Sequence, residues 1–188
     1  MPIGQKEADL KDGLPPELNY QGQTACLRHL APFTYTYNGH GLGGADLRLR
    51  VTFTSHVFSE RTDVGQPHDF LDENDIRRTF DAGRYAFSLG LPNHLTGILN
   101  QNAYSWPMHD KNGIANLAVL APPQPHLVSG TYETVFYYLY PSDVGGIDVE
   151  MLVKSCYPMD INFDRHRRRD RIRVYVKESL FKNTRVPK

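Results

Sequence analysis

Apolar and polar positions alternate with a period of two over long stretches of this chain. "FTYTY" (33–37) and "LRLRVTFTSHVF" (47–58) alternate on either side of the glycine-rich "NGHGLGG" and read as two strands of a hairpin. In the second, Leu47, Leu49, Val51, Phe53, Ser55 and Val57 share one face, and Arg48, Arg50, Thr52, Thr54, His56 and Phe58 share the other. The period then changes. Asp72 reads as a helix N-cap with Asp75 at the capping-box position, and Ile76, Phe80, Gly83 and Phe87 recur at helical spacing. Gly83 implies a close approach of that helix to a sheet, Gly90 and Pro92 mark its end, and a second short helix is expected from Asn93.

Beyond residue 100 the pattern is strand-like. "GIANLAVLAP", "TYETVFYYLY", "GIDVEMLVKSCYP" and "DRIRVYVKESLF" are rich in β-branched and aromatic residues. The turn "PSDVGG" is too short for a parallel crossover, so the strands it joins should pair antiparallel. The expected fold class is α+β, with one or two helices on one face of a largely antiparallel twisted sheet of about five to six strands. Residues 1–24, polar and punctuated by "GLPPEL", read as a loosely ordered arm, and 25–188 as a single domain. One helical region followed by an antiparallel run is similar, in layout alone, to small ribonucleases and toxin nucleases of the barnase and RelE kind. No motif residue of those families is shared.

Composition changes this picture little. At 188 residues the chain is long enough for a sizeable core, and no apolar run approaches a membrane span or a signal segment, which gives a cytoplasmic expectation. Two cysteines, Cys26 and Cys156, are too few for a disulfide scaffold. Charge matters more for its distribution than for its sum. The net charge is zero, yet residues 165–188 hold ten Lys/Arg against Asp170 and Glu178, leaving the rest of the chain at −8. The stretch "RHRRRDR", with Arg165, Arg167, Arg168 and Arg169, is therefore the expected contact for RNA, another anionic partner or a protein partner.

The candidate chemistry follows from the polar strand faces. His56 shares its side with two guanidiniums, and Arg173, Tyr175 and Lys177 alternate in the last expected strand. Were these rows on one sheet surface, they would supply the parts of a metal-independent phosphodiester site. His56 would be base or acid, with Tyr175, Lys177 or Glu150 as second proton carrier, and Arg48, Arg50, Lys154 and Arg173 would hold phosphate. In "VKSCYPMD", Cys156 is read as a small packed residue. Cys26 and His29, with Cys156 and His166, form a weakly spaced zinc set, and His56 with His68 and Asp69 a weaker one. "NGHGLGG" lacks the lysine and Ser/Thr of a nucleotide-phosphate loop. No metal or cofactor is expected under the leading reading, a ribonuclease-like or RNA-binding domain. Its rivals are a non-enzymatic protein-binding subunit of a nucleic-acid-handling complex and a histidine-based metal enzyme.

Overall fold

The computed structural model describes residues 13–109, 113–166 and 168–188. The expected hairpin forms: β3 (Phe33–Tyr37) pairs antiparallel with β4 (Leu47–Phe53), Tyr37 opposite Leu47 and Phe33 opposite Val51. Leu47, Leu49, Val51 and Phe53 are fully buried on one face, as alternation requires. Before this hairpin, β1 (Glu17–Tyr20) and β2 (Gln23–Cys26) form a small two-stranded sheet, which takes in residues 17–24 of the segment read as an arm. The arm's first twelve residues lie outside the described residues.

Five further strands follow, β8 (Tyr104–His109), β9 (Ala115–Leu120), β10 (Gly130–Pro141), β11 (Val149–Ile161) and β12 (Asp170–Arg171). Among the described residues the main sheet has seven strands in the order β12, β8, β9, β10, β11, β4, β3. The β10–β11 hairpin closes through the short turn as expected. Among the described residues only β11 and β4 run parallel, so the sheet is mixed.

A bulge interrupts β11. Tyr137 faces Val153 while Phe136 faces Ser155, which leaves Lys154 as the extra residue. Simple alternation would put Val153 and Cys156 on opposite faces; with the bulge both enter the main core.

Among the described residues three α-helices accompany the sheet. Two segments differ from their sequence assignments. Asp72 does not cap a helix. Its carboxylate accepts from the backbone N–H of Asn74 and Ile76 at 2.8 and 3.0 Å, and Asp75 has φ 59°. That left-handed residue closes a turn, and a strand, β7 (Arg77–Phe80), follows. It pairs with β5 (Ser59–Arg61) and β6 (Phe70–Leu71) in a three-stranded side sheet. Helix α1 (Ala82–Ser88) starts later, capped by Asp81, whose side chain accepts from Arg84 N–H at 2.7 Å. Gly83 is exposed there, and a Cβ on it would meet only Asp81 Oδ1, at 3.3 Å, so no close approach to a sheet requires the glycine. Gly90 and Pro92, read as a stop, open α2 (Leu91–Asn100) instead: proline lacks an N–H, and the first helical positions do not need one.

The second correction is larger. "IRVYVKESLFK" is not a strand but α3 (Ile172–Lys182). Its β-branched alternation suggests period two, yet Ile172, Tyr175, Val176 and Ser179 are the buried positions, a spacing of three and four. Ala103 carbonyl and Asn102 Oδ1 accept the first two helical N–H groups, and Asn183 ends the helix at φ 47°. Arg173, Tyr175 and Lys177 therefore do not form one row on a sheet.

The main core lies between the sheet and α2 and α3. Leu91, Leu95, Ile98 and Leu99 of α2 are 1% exposed or less, and burying each contributes about 1.5–3 kcal/mol. A second cluster on the reverse face joins Trp106, Ala118, Leu120 and Phe136 to Ile161 and Phe163. Among the described residues no helix is long and apolar enough to cross a membrane.

Candidate nucleic-acid interface

A groove of about 430 Å³ opens where the ends of β8 and β9, the side chains of Arg165, His166 and Arg168, α3 and the last residues meet. Arg165, His166, Arg168, His109, Tyr175, Glu178 and Lys188 contribute its polar walls, and Pro107, Ala115, Val186 and Pro187 its apolar ones. The volume falls in the range of small-ligand sites. His166 also borders a neighbouring depression of about 590 Å³ that reaches Arg169 and Asp164.

Phe163 explains how so basic a segment keeps its place. It is 4% exposed and packs edge-to-face on Trp106, with ring centres 4.9 Å apart. Its N–H donates to Ser129 Oγ at 3.0 Å, and Asn162 Oδ1 caps the following turn by accepting from Asp164 N–H at 3.0 Å. Just beyond that turn, His166 lies 6.0 Å from Trp106 and 6.2 Å from Phe163, ring centre to ring centre. Burial lowers its pKa from the ordinary imidazole value, so the ring is neutral at pH 7 and can accept a proton.

Tyr175 forms part of the groove's floor. It is 1% exposed, and burial pushes its phenol up to about 12; Asp170 and Glu178 add to this while Arg168 opposes it. Its hydroxyl has no hydrogen-bond partner of good geometry among the described residues; the Arg168 guanidinium lies over the ring, 5.8 Å from its centre. Arg168 also reaches Glu178 Oε2 at 3.4 Å, but with the arginine side chain 64% exposed this pair is worth little. Glu178 holds Lys182 as well, at 3.0 Å.

The groove thus gathers three of the expected site residues, Arg165, Arg168 and Tyr175, with Arg169 next door; Arg167 lies outside the described residues. It does not gather the others. Arg48 and Arg50 stand on the reverse face of the sheet, where the bulge also directs Lys154. Arg50 is bound to Glu150 at 2.9 Å and Glu150 accepts from Ser142 at 2.7 Å, so that carboxylate is committed to an ion pair. Arg48 donates to the Gly146 carbonyl at 3.4 Å. Arg173 lies 3.0 Å from His40, and the Lys177 charge reaches the same ring.

His56 is further still. Strand β4 ends at Phe53, and Thr54 caps a single 3-10 turn, Ser55–Val57, by accepting from His56 N–H at 3.2 Å. The ring turns to Asp72, Nε2 to Oδ2 3.0 Å, with Glu73 at 3.9 Å. Burial alone would raise the Asp72 pKa, but hydrogen bonds from His56, Ile76 and Asn74 outweigh it and keep the carboxyl below its usual range. Buried Arg78 stands 3.7 Å from the same carboxylate and donates to Ser59. The imidazole thus belongs to an acid-rich network that ties β4 to the side sheet. It lies across the roughly 20 Å length of β4 from the His40–Arg173 contact.

The zinc sets do not assemble either. Cys156 is buried, its thiol pushed up to about 12 by burial, with the Val57 carbonyl 3.7 Å away. Cys26 is exposed, and His29 is bonded to Ser88 at 2.9 Å. Asp69 accepts from Phe80 N–H and Gln21, while His68 is exposed. Among the described residues no three His, Cys, Asp or Glu side chains come together as metal ligands.

Sequence reasoning misses His109 and His40 and weighs His166 only as a metal ligand. His109 ends β8, a strand that proline in "YSWPMH" hides, so nothing in the sequence marks it.

The model of the YjaZ family matches residues 17–180, from the first turn-paired strand into the last turn of α3. The chain belongs to the YjaZ family. The matched span includes Arg165, His166, Arg168, Tyr175 and Glu178 of the groove. No curated protein and no solved structure is significantly similar to the chain.

Proposed function

We propose that this YjaZ-family chain is a small nucleic-acid-acting protein that holds an RNA strand by its phosphates in the groove between Arg165, His166 and Arg168 on one side and α3 on the other. One observation carries the reading: two arginines, two histidines and a phenol border a single groove of about 430 Å³. Guanidinium forks match phosphate oxygens, so Arg165 and Arg168 are the anchors.

The same walls hold the parts of metal-independent cleavage. His166, neutral at pH 7, takes the proton of a ribose 2′-hydroxyl as that oxygen bonds to phosphorus. The bond to the 5′ oxygen breaks, leaving a 2′,3′-cyclic phosphate, and His109, entering the step protonated, gives its proton to that oxygen. Arg165 and Arg168 stabilise the charge on the non-bridging oxygens. His56 takes no part. RNA as ligand and two free cysteines both fit a cytoplasmic location.

Single-stranded RNA incubated with the full chain and a chelator tests both halves. The reading expects cleavage that survives chelation, falls by at least about a hundredfold in His166→Ala and is untouched by His56→Ala. Binding without cleavage would reduce it to an RNA-binding module, and neither would remove it.

A second reading, a protein-binding subunit, has one observation of its own. Val174 and Phe181 are 49% and 53% exposed and seven residues apart on the outward side of α3. Replacing both with serine would then abolish partner capture without changing RNA affinity.

A further inference from the structure

The glycine-rich turn between β3 and β4, which lacks the residues of a nucleotide loop, has another use. It is tight: Gly41 N–H donates to the Ala45 carbonyl at 2.6 Å, and Gly39 N–H donates to Asp46 Oδ1 at 2.9 Å. A Cβ at Gly41 would meet the Asp46 and Ala45 carbonyl oxygens at 2.8 and 2.9 Å, so only glycine fits without moving backbone. This fold of the turn sets His40, whose N–H donates to Tyr37, against α3.

There His40 Nε2 lies 3.0 Å from Arg173 Nη1. A guanidinium only donates, so Nε2 is the acceptor and the imidazole proton is assigned to Nδ1. Lys177 follows Arg173 by one helical turn and its charge also reaches His40. Tyr37 stands edge-to-face to His40 at 6.3 Å; its hydroxyl is buried, without a hydrogen-bond partner among the described residues, and within reach of the Arg173 charge. None of the ion pairs among the described residues involves Arg173 or Lys177. An arginine, a lysine and an imidazole thus converge with no counter-ion of their own among the described residues.

We propose that His40, Arg173 and Lys177 form a phosphate-binding site, with the guanidinium and ammonium taking the oxygens and His40 holding the arginine in place. The ligand is a phosphate group, either on a small ester or within a nucleic-acid strand. This site stands apart from the groove, because Arg173 and Lys177 project from a different side of α3 than Tyr175 and Glu178.

Inorganic phosphate titrated into the full chain, at constant ionic strength with chloride, tests it through the His40 ring resonances. A saturable shift is expected, weakened about tenfold or more in Arg173→Gln and in Lys177→Gln, and retained in Arg165→Gln/Arg168→Gln, which empties only the groove. Arg173→Lys, which keeps the charge without the fork, should fall between. Unfolding midpoints check that each variant is folded. Competition by oligouridylate but not by uridine monophosphate assigns the phosphate to a strand; competition by the monophosphate assigns it to a small ester. A His40 shift that chloride reproduces, that never saturates or that Arg173→Gln leaves intact overturns the site.

Discussion

Replacing His56 with alanine separates two accounts of that residue. A catalytic imidazole on an open sheet face could be removed with almost no effect on unfolding. The geometry instead makes His56 a structural tie, since its side chain is 20% exposed and bonded at 3.0 Å to a carboxylate with no exposed side-chain surface. A hydrogen bond to a charged group contributes about 1.5–3 kcal/mol. Asp72 keeps two backbone N–H donors and Arg78 at 3.7 Å, which limits the penalty for losing the ring. The expected cost of His56→Ala is therefore about 1–2 kcal/mol, or roughly 2–8 °C in melting temperature for a chain of this size. Urea unfolding followed by far-ultraviolet dichroism measures it, and a double-mutant cycle with Asp72→Asn should give a coupling of about 1 kcal/mol. The acid limb adds a signed check. The folded pKa of Asp72 lies below its unfolded value, so its stabilisation is present above about pH 4 and drains as pH falls through the folded pKa. Asp72→Asn should flatten that part of the stability curve. An unchanged midpoint in His56→Ala, with zero coupling, would refute the structural role.

Two buried tyrosines should answer a hydroxyl deletion differently. Tyr137 donates to Ser105 Oγ at 2.9 Å, so Tyr137→Phe should cost about 1 kcal/mol, whereas Tyr175→Phe, whose hydroxyl is unpartnered among the described residues, should be neutral or slightly stabilising in thermal melts. Thiol titration with a disulfide reagent at pH 8 should count one fast thiol, Cys26. Cys156, buried and pushed up to about 12, should react only on unfolding. Gly41→Ala should destabilise by about 1–3 kcal/mol, read by urea unfolding, because its Cβ would meet backbone oxygens.

The hairpin from Phe33 to Phe53 was legible because the apolar residues of its second strand alternate and one face is buried, which leaves one register open. The strand from Gly130 to Pro141 was legible for another reason, a continuous β-branched and aromatic run that is buried on both faces. The C-terminal helix was not. "IRVYV" satisfies both periods, and what selects the helix is tertiary: Asn102 and Ala103 accept its first N–H groups, and the sheet needs cover at Ile172 and Val176. Asp72 and Pro92 carried genuine boundary signals whose direction depended on what followed. The site divides the same way. A basic stretch at 165–169 was visible as charge. Its meeting with His109 depends on a strand hidden by Pro107 and on Phe163 anchoring beneath Trp106, neither of which any local pattern records.

Salt dependence of single-stranded RNA binding, measured by fluorescence anisotropy on the wild type and on Arg165→Gln/Arg168→Gln, bears most directly on the groove. Two lost phosphate contacts should weaken binding and reduce the slope of log K against log salt by roughly 1.4. Equal affinity and equal slope in the two proteins would mean that RNA does not bind there.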